Sequence, residues 1–290
     1  MGLNLQYVTI GWLRSGLWGH NLTIAALQTV CYNDGMPLPC NLCPRHCTQT
    51  AFCGAGEITR CYRHRVEYSE EASLAPSHLF YLSGCNLRCR FCIGEEHAVN
   101  PALGQPLTPS FFAEAVEWGR TQRVKTLQWV GGEPGIHLET LCELMGQTSH
   151  LPPVVWKTNF YFMPQAFESL WKYVDTFVAD FKFGNEQCAA SLCGVSDYIA
   201  TVTASLLSVY RRNPHALIVR HLLLPGHFDC CFVPILDWFT NNIREATFSL
   251  WDGYLPSWHA KEDPVLRLYL PPGDAVKARE LIRQRKIRLA

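Results

Sequence analysis

Within Tyr81-Leu-Ser-Gly-Cys85-Asn-Leu-Arg-Cys89-Arg-Phe-Cys92, three cysteines stand at C-x3-C-x2-C spacing, with an aromatic residue directly before the third. Thiolates are soft ligands, and three in one short loop can hold three irons of a [4Fe–4S] cluster. The fourth iron then lacks a protein ligand and is open to a small molecule. Zinc is the competing occupant. It takes four nitrogen or sulfur ligands in structural sites, and neither His nor Cys immediately follows Cys92.

A second run, Cys40-Asn-Leu-Cys43-Pro-Arg-His-Cys47 followed by Cys53-Gly-Ala-Gly, sets four thiols at C-x2-C-x3-C-x5-C. Cys40, Cys43, Cys47 and Cys53 suit either zinc or an auxiliary Fe–S cluster, with Cys61 as a substitute for one of them. The remaining cysteines read differently. Cys188 and Cys193 flank a short segment, and Cys230 and Cys231 are adjacent. Neighbouring cysteines rarely share one metal, and buried structural Cys is common. His46 and His97 lie near the clusters but have no convincing partner in the sequence.

Gly131-Gly132-Glu133-Pro134 is the other candidate for chemistry. Paired glycines let a backbone edge approach a ligand closely, and a following carboxylate can accept from an ammonium group. The same four residues also make an ordinary turn, so their placement after a strand gives them their weight.

The elements that must position these residues alternate. Strands are predicted over 78–84, 126–130, 154–161, 176–183, 216–224 and 246–251. Helices are predicted after Thr108, which caps with Pro109 in the first turn, and over 137–145, 164–173, 198–211, 231–242 and 275–284, the last capped by Asp274. A short helix is expected over 22–30. Strands alternating with helices imply parallel pairing with right-handed crossovers. A closed eightfold barrel needs about 250 residues, and roughly 200 are available from residue 76 onward. The expected fold is therefore α/β: a partial (β/α)6 TIM-type barrel at 76–290, behind a cysteine-rich metal-binding extension at 1–75. Chemistry in such folds sits at the C-terminal strand ends, which is where the Cys85 loop and the Gly-Gly-Glu-Pro segment fall.

Lys+Arg equals Asp+Glu at 25 each, which excludes a broad electrostatic grip on nucleic acid. Of 14 cysteines, those in the two clusters have ligand spacing, not the pattern of a secreted disulfide framework. The apolar stretch from Tyr7 to Val30 is interrupted by Arg14, His20 and Asn21. No signal peptide and no membrane span are expected, and a reducing cytoplasm is the natural setting.

The Cys85–Cys92 spacing followed by Gly131–Pro134 closely resembles the radical SAM superfamily. That resemblance implies that the open iron chelates the amino and carboxylate groups of S-adenosylmethionine (SAM). It implies reductive cleavage to a 5′-deoxyadenosyl radical, with Gly131, Gly132, Glu133 and Pro134 taking the methionyl amino group. Three further stretches resemble activating enzymes of the pyruvate formate-lyase type: Lys157-Thr158-Asn159, Ala179-Asp180-Phe181-Lys182, and the strand from Val219 and Arg220 to Pro225-Gly226. By that likeness Asp180, Lys182 and Arg220 surround the SAM carboxylate and ribose. Lys157 stands where those enzymes carry an Asp that helps hold a monovalent cation, so its ammonium is expected to replace the cation. The N-terminal cysteine run resembles the PflX branch of activating-enzyme-like proteins, from about residue 36 to the C-terminus. The resemblance implies a reductant such as flavodoxin or ferredoxin. It leaves three readings: an activase abstracting hydrogen from a partner protein's glycine, an enzyme modifying a small molecule or peptide, and a non-catalytic Fe–S electron carrier.

Overall fold

The computed structural model describes residues 32–33, 36–37, 40–48, 50–54, 58–69 and 71–290. The helix expected over 22–30 and the stretch from Tyr7 to Val30 lie outside the described residues. A small antiparallel pair, Tyr32–Asn33 with Met36–Pro37, precedes the main body.

The main sheet has eight strands: β1 (Arg60–Glu67), β2 (Ser77–Leu82), β3 (Gln105–Pro106), β4 (Thr126–Gly131), β5 (Val154–Thr158), β6 (Thr176–Asp180), β7 (Leu217–Leu222) and β8 (Thr247–Trp251). Their order is β8-β7-β6-β5-β4-β2-β1-β3. The six strands β2, β4, β5, β6, β7 and β8 pair in parallel and are the six expected units. This is the partial barrel of the sequence reading. The antiparallel strand β1 was not anticipated: it pairs with β2, and with the two-residue edge strand β3, from within the segment read as an extension.

Besides a short helix, Glu95–Val99, after the cysteine loop, the helices are α1 (Pro109–Thr121), α2 (Leu138–Gln147), α3 (Glu186–Cys193), α4 (Tyr198–Arg212), α5 (Val233–Asn242) and α6 (Pro272–Gln284). Thr108 caps α1, its Oγ1 accepting from Phe111 N at 3.2 Å. Asp274 does not cap α6. The helix starts two residues earlier at Pro272, because proline presets φ for a first helical position, and Asp274 sits inside the first turn. Between β5 and β6 the chain forms a 3-10 helix, Pro164–Lys172, where an α-helix was predicted. Its buried residues Phe167 and Leu170 are three apart and stack on one face at that period. Helix α3 was also missed. It has local signals: Asn185 Oδ1 accepts from Cys188 N at 2.8 Å, and Gly194 closes the helix in the left-handed conformation. Among the described residues no single helix is long and apolar enough to cross a membrane.

The pleat sorts strand residues into two environments. Leu127, Trp129, Trp156, Phe177, Leu217 and Val219 face outward into the core they share with the helices. Each large apolar side chain so buried contributes about 1.5–3 kcal/mol. Val155, Val178 and Ile218 face inward and meet Leu74 in a small separate cluster. Two residues further along each strand, on the same inward face, stand Lys157, Asp180 and Arg220. The barrel interior therefore changes from apolar to charged toward its C-terminal end.

Candidate active site

The loop carrying Cys85, Cys89 and Cys92 leaves the C-terminal end of β2. All three residues are half-buried. Cys85 Sγ accepts from Leu87 N at 3.4 Å and faces the Asn159 amide at 3.8 Å. Burial raises the Cys85 thiol well above its ordinary pKa, with Glu133 and Cys89 adding to the effect. The thiol of Cys193 raises Cys89 most, followed by burial. Burial also raises Cys92, while Lys182 and the Gly94 amide act the other way. Lys182 acts electrostatically on both Cys89 and Cys92, favouring their thiolate forms.

The Gly-Gly-Glu-Pro segment packs against this loop. A Cβ on Gly131 would collide with the backbone of Leu82, and one on Gly132 with the carbonyl of Gly84. Gly131 also has φ +120, which side chains other than hydrogen rarely adopt. The glycines thus let the end of β4 lie against the residues that deliver Cys85. Glu133 is 1 % exposed. Its carboxylate accepts from Thr158 Oγ1 at 2.6 Å, Asn159 N at 2.8 Å and Gly135 N at 2.9 Å. Burial still lifts it to about 7, against the pull of those donors. In this structure Glu133 ties the end of β4 to the end of β5.

Asn159 carries that tie onward. Its amide donates to Asn86 Oδ1 at 2.8 Å, and Asn86 donates to Tyr161 O at 2.8 Å. Asn86 lies inside the cysteine loop, so the ends of β2, β4 and β5 are joined by hydrogen bonds.

Asp180 pairs with Lys182 at 2.8 Å. Burial works to raise the Asp180 pKa, but Lys182, Arg220 and Lys157 outweigh it and hold the carboxyl below its usual range. Tyr198 fixes this strand end, its hydroxyl accepting from Lys182 N at 2.7 Å. Arg220 Nε and Nη2 donate to the two oxygens of Glu71 at 2.8 and 2.7 Å, and Ser249 Oγ donates to the same carboxylate at 3.0 Å. Arg220 also lies 4.2 Å over the Trp251 ring. Lys157 is half-buried, with its ammonium 5.9 Å from the centre of that ring. Glu71, Asn86, Tyr198 and Cys193 had no signal that set them apart in the sequence. Each acts through a partner distant along the chain.

The N-terminal cysteines pack beside the loop. Cys40 N donates to Cys47 O at 2.9 Å, and Cys43 is within electrostatic reach of Cys40 and Cys47. Phe52 lies between two guanidinium groups, 3.5 Å from that of Arg45 and 4.3 Å from that of Arg88. Arg45 donates to Asn86 O at 2.8 Å, and Arg88 to Phe52 O at 2.8 Å. The segment around Cys47 and Cys53 is thereby docked on the Cys85–Cys92 loop. Cys61 lies on β1 and donates to the Arg63 carbonyl at 3.1 Å. Among the described residues, the one group with at least three ligand atoms within 4.8 Å of one another is Cys188, His227, Cys230 and Cys231. It includes neither the Cys40–Cys53 set nor the Cys85–Cys92 trio. Its signal was available as a histidine three residues before a Cys-Cys pair.

The radical SAM superfamily model matches residues 79–239, more than half of the chain. The chain belongs to that superfamily and is a radical SAM enzyme, a class that works with a [4Fe–4S] cluster and SAM. The uncharacterized protein MJ0674 of Methanocaldococcus jannaschii is 30% identical over 256 residues, covering 83% of this chain and 73% of its own length. Among solved structures, a radical SAM methyltransferase from Sphaerobacter thermophilus is similar with a TM-score of 0.53 at 13% identity, over 77% of this chain and 67% of its own. SuiB of Streptococcus suis, bound to the precursor peptide SuiA, is similar with a TM-score of 0.51 at 17% identity, over 71% of this chain. The match spans 45% of SuiB's length.

Proposed function

We propose that Cys85, Cys89 and Cys92 hold the cluster, and that SAM lies across Gly131–Pro134, Lys157, Thr158, Asn159, Asp180, Lys182 and Arg220. The observation that carries this reading is convergence. The three-thiol loop and the charged ends of β4, β5, β6 and β7 meet at one end of one parallel sheet, with Lys182 reaching both Cys89 and Cys92 electrostatically. The residues fit the group: soft thiols, an amide aimed at Cys85, and a nearby cation to balance thiolate charge. Bound there, the cluster and SAM supply a 5′-deoxyadenosyl radical for hydrogen abstraction. The chain's own residues hold the geometry. Glu133 locks two strand ends together, Asn86 and Asn159 fix the loop to them, and Asp180 with Lys182 would supply paired charges to hold SAM.

The substrate proposed is a protein or peptide, abstraction falling on a glycine of a partner chain as in an activase. The resemblance to activating enzymes supports this, and so does the peptide bound to SuiB on a similar fold. A small-molecule substrate is the competing outcome. Flavodoxin or ferredoxin is the proposed electron donor. Cys40, Cys43, Cys47 and Cys53 form the proposed second metal site, for an Fe–S cluster or zinc.

Reconstituted full-length protein, given dithionite and SAM without oxygen, should form 5′-deoxyadenosine, and the triple Cys85/Cys89/Cys92→Ala variant should form none. Product from that variant would overturn the assignment. Lys157 is proposed to stand in for a monovalent cation, being on the inward face and in reach of Asp180. Wild-type cleavage should then be indifferent to potassium, while Lys157→Asp should require it. A several-fold potassium stimulation of the wild type would count against this role.

A further inference from the structure

Four soft ligand atoms meet on the far side of α3 from the cysteine loop, and no step of the proposed reaction uses them. Cys188 Sγ lies 3.7 Å from Cys230 Sγ, and Cys230 Sγ lies 4.0 Å from Cys231 Sγ. His227 Nδ1 faces all three sulfurs, at 3.5 Å from Cys188, 3.4 Å from Cys230 and 3.9 Å from Cys231. All four atoms lie within 4.8 Å of one another. Zinc–thiolate bonds of about 2.3 Å and zinc–imidazole bonds of about 2.0–2.1 Å, set in a regular tetrahedron, give edges of about 3.8 Å between sulfurs and about 3.6 Å between sulfur and nitrogen. The five distances match those edges to within a few tenths of an ångström.

We propose that Cys188, His227, Cys230 and Cys231 form a closed Cys3His site for one zinc ion. An Fe–S cluster fits less well, since each iron takes its own thiolate and the ligand sulfurs are held apart by the cluster. Four protein ligands leave no open position, which is the pattern of a structural site.

The local chain is shaped for this arrangement. The residues Phe228–Phe232 form a turn of π-helix, with Phe232 N donating to His227 O at 3.3 Å. A π turn rotates each residue through less than the ~100° of an α-helix, so the adjacent side chains of Cys230 and Cys231 diverge less. That relaxes the rule that neighbouring cysteines do not share a metal. Gly184 allows the approach of the two segments: a Cβ there would sit 2.7 Å from Cys231 Cα and 3.0 Å from the Cys230 carbonyl oxygen. Asn185 supports the ligands from behind. Its amide nitrogen donates to Cys188 Sγ at 3.2 Å and to Cys230 O at 2.7 Å.

The site also has a mechanical consequence. Cys188 stands in the first turn of α3 and Cys193 at its end, a rise of roughly 7.5 Å along the axis. At that end Arg88 N donates to Cys193 O at 3.3 Å and Arg90 N to Leu192 O at 2.9 Å. Zinc would fix the start of the helix whose far end holds the Cys85–Cys92 loop.

The test is metal content and ligand-field spectroscopy of the full chain, made in a Cys40/Cys43/Cys47/Cys53→Ser background so that the other cysteine run cannot contribute. One zinc per chain is expected in that background. Adding Cys188→Ser and Cys230→Ser should remove it and leave the iron content unchanged. Cobalt(II) loaded in place of zinc should give the intense visible bands of a tetrahedral thiolate site. Where the double variant does not fold, His227→Cys decides, because it keeps four ligands. Its cobalt spectrum should shift to the stronger thiolate charge transfer of a four-sulfur site. Equal zinc with and without Cys188 and Cys230, an unshifted cobalt spectrum in His227→Cys, or a Cys188–Cys230 disulfide in metal-free anaerobic protein would each overturn the proposal.

Discussion

Two groups of cysteines lie at opposite ends of α3, and they are built to different dimensions. Cys85, Cys89 and Cys92 come from one loop, and their three sulfurs do not gather into a set of single-ion size. Cys188, Cys230 and Cys231 come from two segments and close with His227 into a set of single-ion size. The first arrangement leaves room for a multi-iron group and a position for a small molecule. The second leaves neither. Ligand type alone does not separate them, since both are thiolate sites. The spacing of the sulfurs and the number of protein ligands do.

The largest expected effect tests that separation directly. Triple Cys85/Cys89/Cys92→Ala should abolish 5′-deoxyadenosine formation yet keep the zinc of the other group, whereas Cys188→Ser with Cys230→Ser should lose the zinc and retain measurable cleavage. Loss of both properties in both variants would mean that the two groups are one functional unit.

A smaller effect is expected at the charged strand ends, where no thiol is changed. Arg220 and Glu71 are 8% and 1% exposed at the side chain, so Glu71→Ala leaves a buried guanidinium without its main partner. Breaking a buried pair costs about 3–5 kcal/mol, and chemical denaturation should show a loss of that order. Asp180 remains close to Arg220 and will recover part of it. A change below about 1 kcal/mol would indicate that Arg220 does not need Glu71, a pairing the sequence reading did not foresee.

The smallest effect falls on the support of the zinc ligands. Asn185→Ala removes the donor to Cys188 Sγ and to Cys230 O. Loss of such outer contacts lowers metal affinity about 10- to 100-fold, which competition with a chelator would read. Unchanged affinity would show that the tetrahedron is held by its four ligands and the π turn alone.

The six parallel strands were legible because each is a short apolar run bounded by turn residues, and the helices between them because their apolar faces recur at helical period. Thr108 and Pro109 announced α1 in the same way. The antiparallel strand β1 was not legible. Its exposed Arg63 and Arg65 flank a half-buried His64 with no apolar run around them, and its strand character depends on pairing with β2. Helix α3 was overlooked because eight residues give too few turns for a period to stand out.

What the sequence by itself determined is the chemistry that depends on ligands close along the chain. Cys85, Cys89 and Cys92 lie within one loop, and Gly131 to Pro134 within one turn, so type and spacing carried the reading. The tertiary structure decided what depends on residues brought together across the sheet. It turned Glu133 toward Thr158 and Asn159, set Glu71 on Arg220, and gathered His227 and the Cys230–Cys231 pair around Cys188. The reason is physical: a burial or pairing energy depends on distance in space, and the parallel crossovers bring residues far apart in sequence to hydrogen-bond range without leaving a local pattern to read.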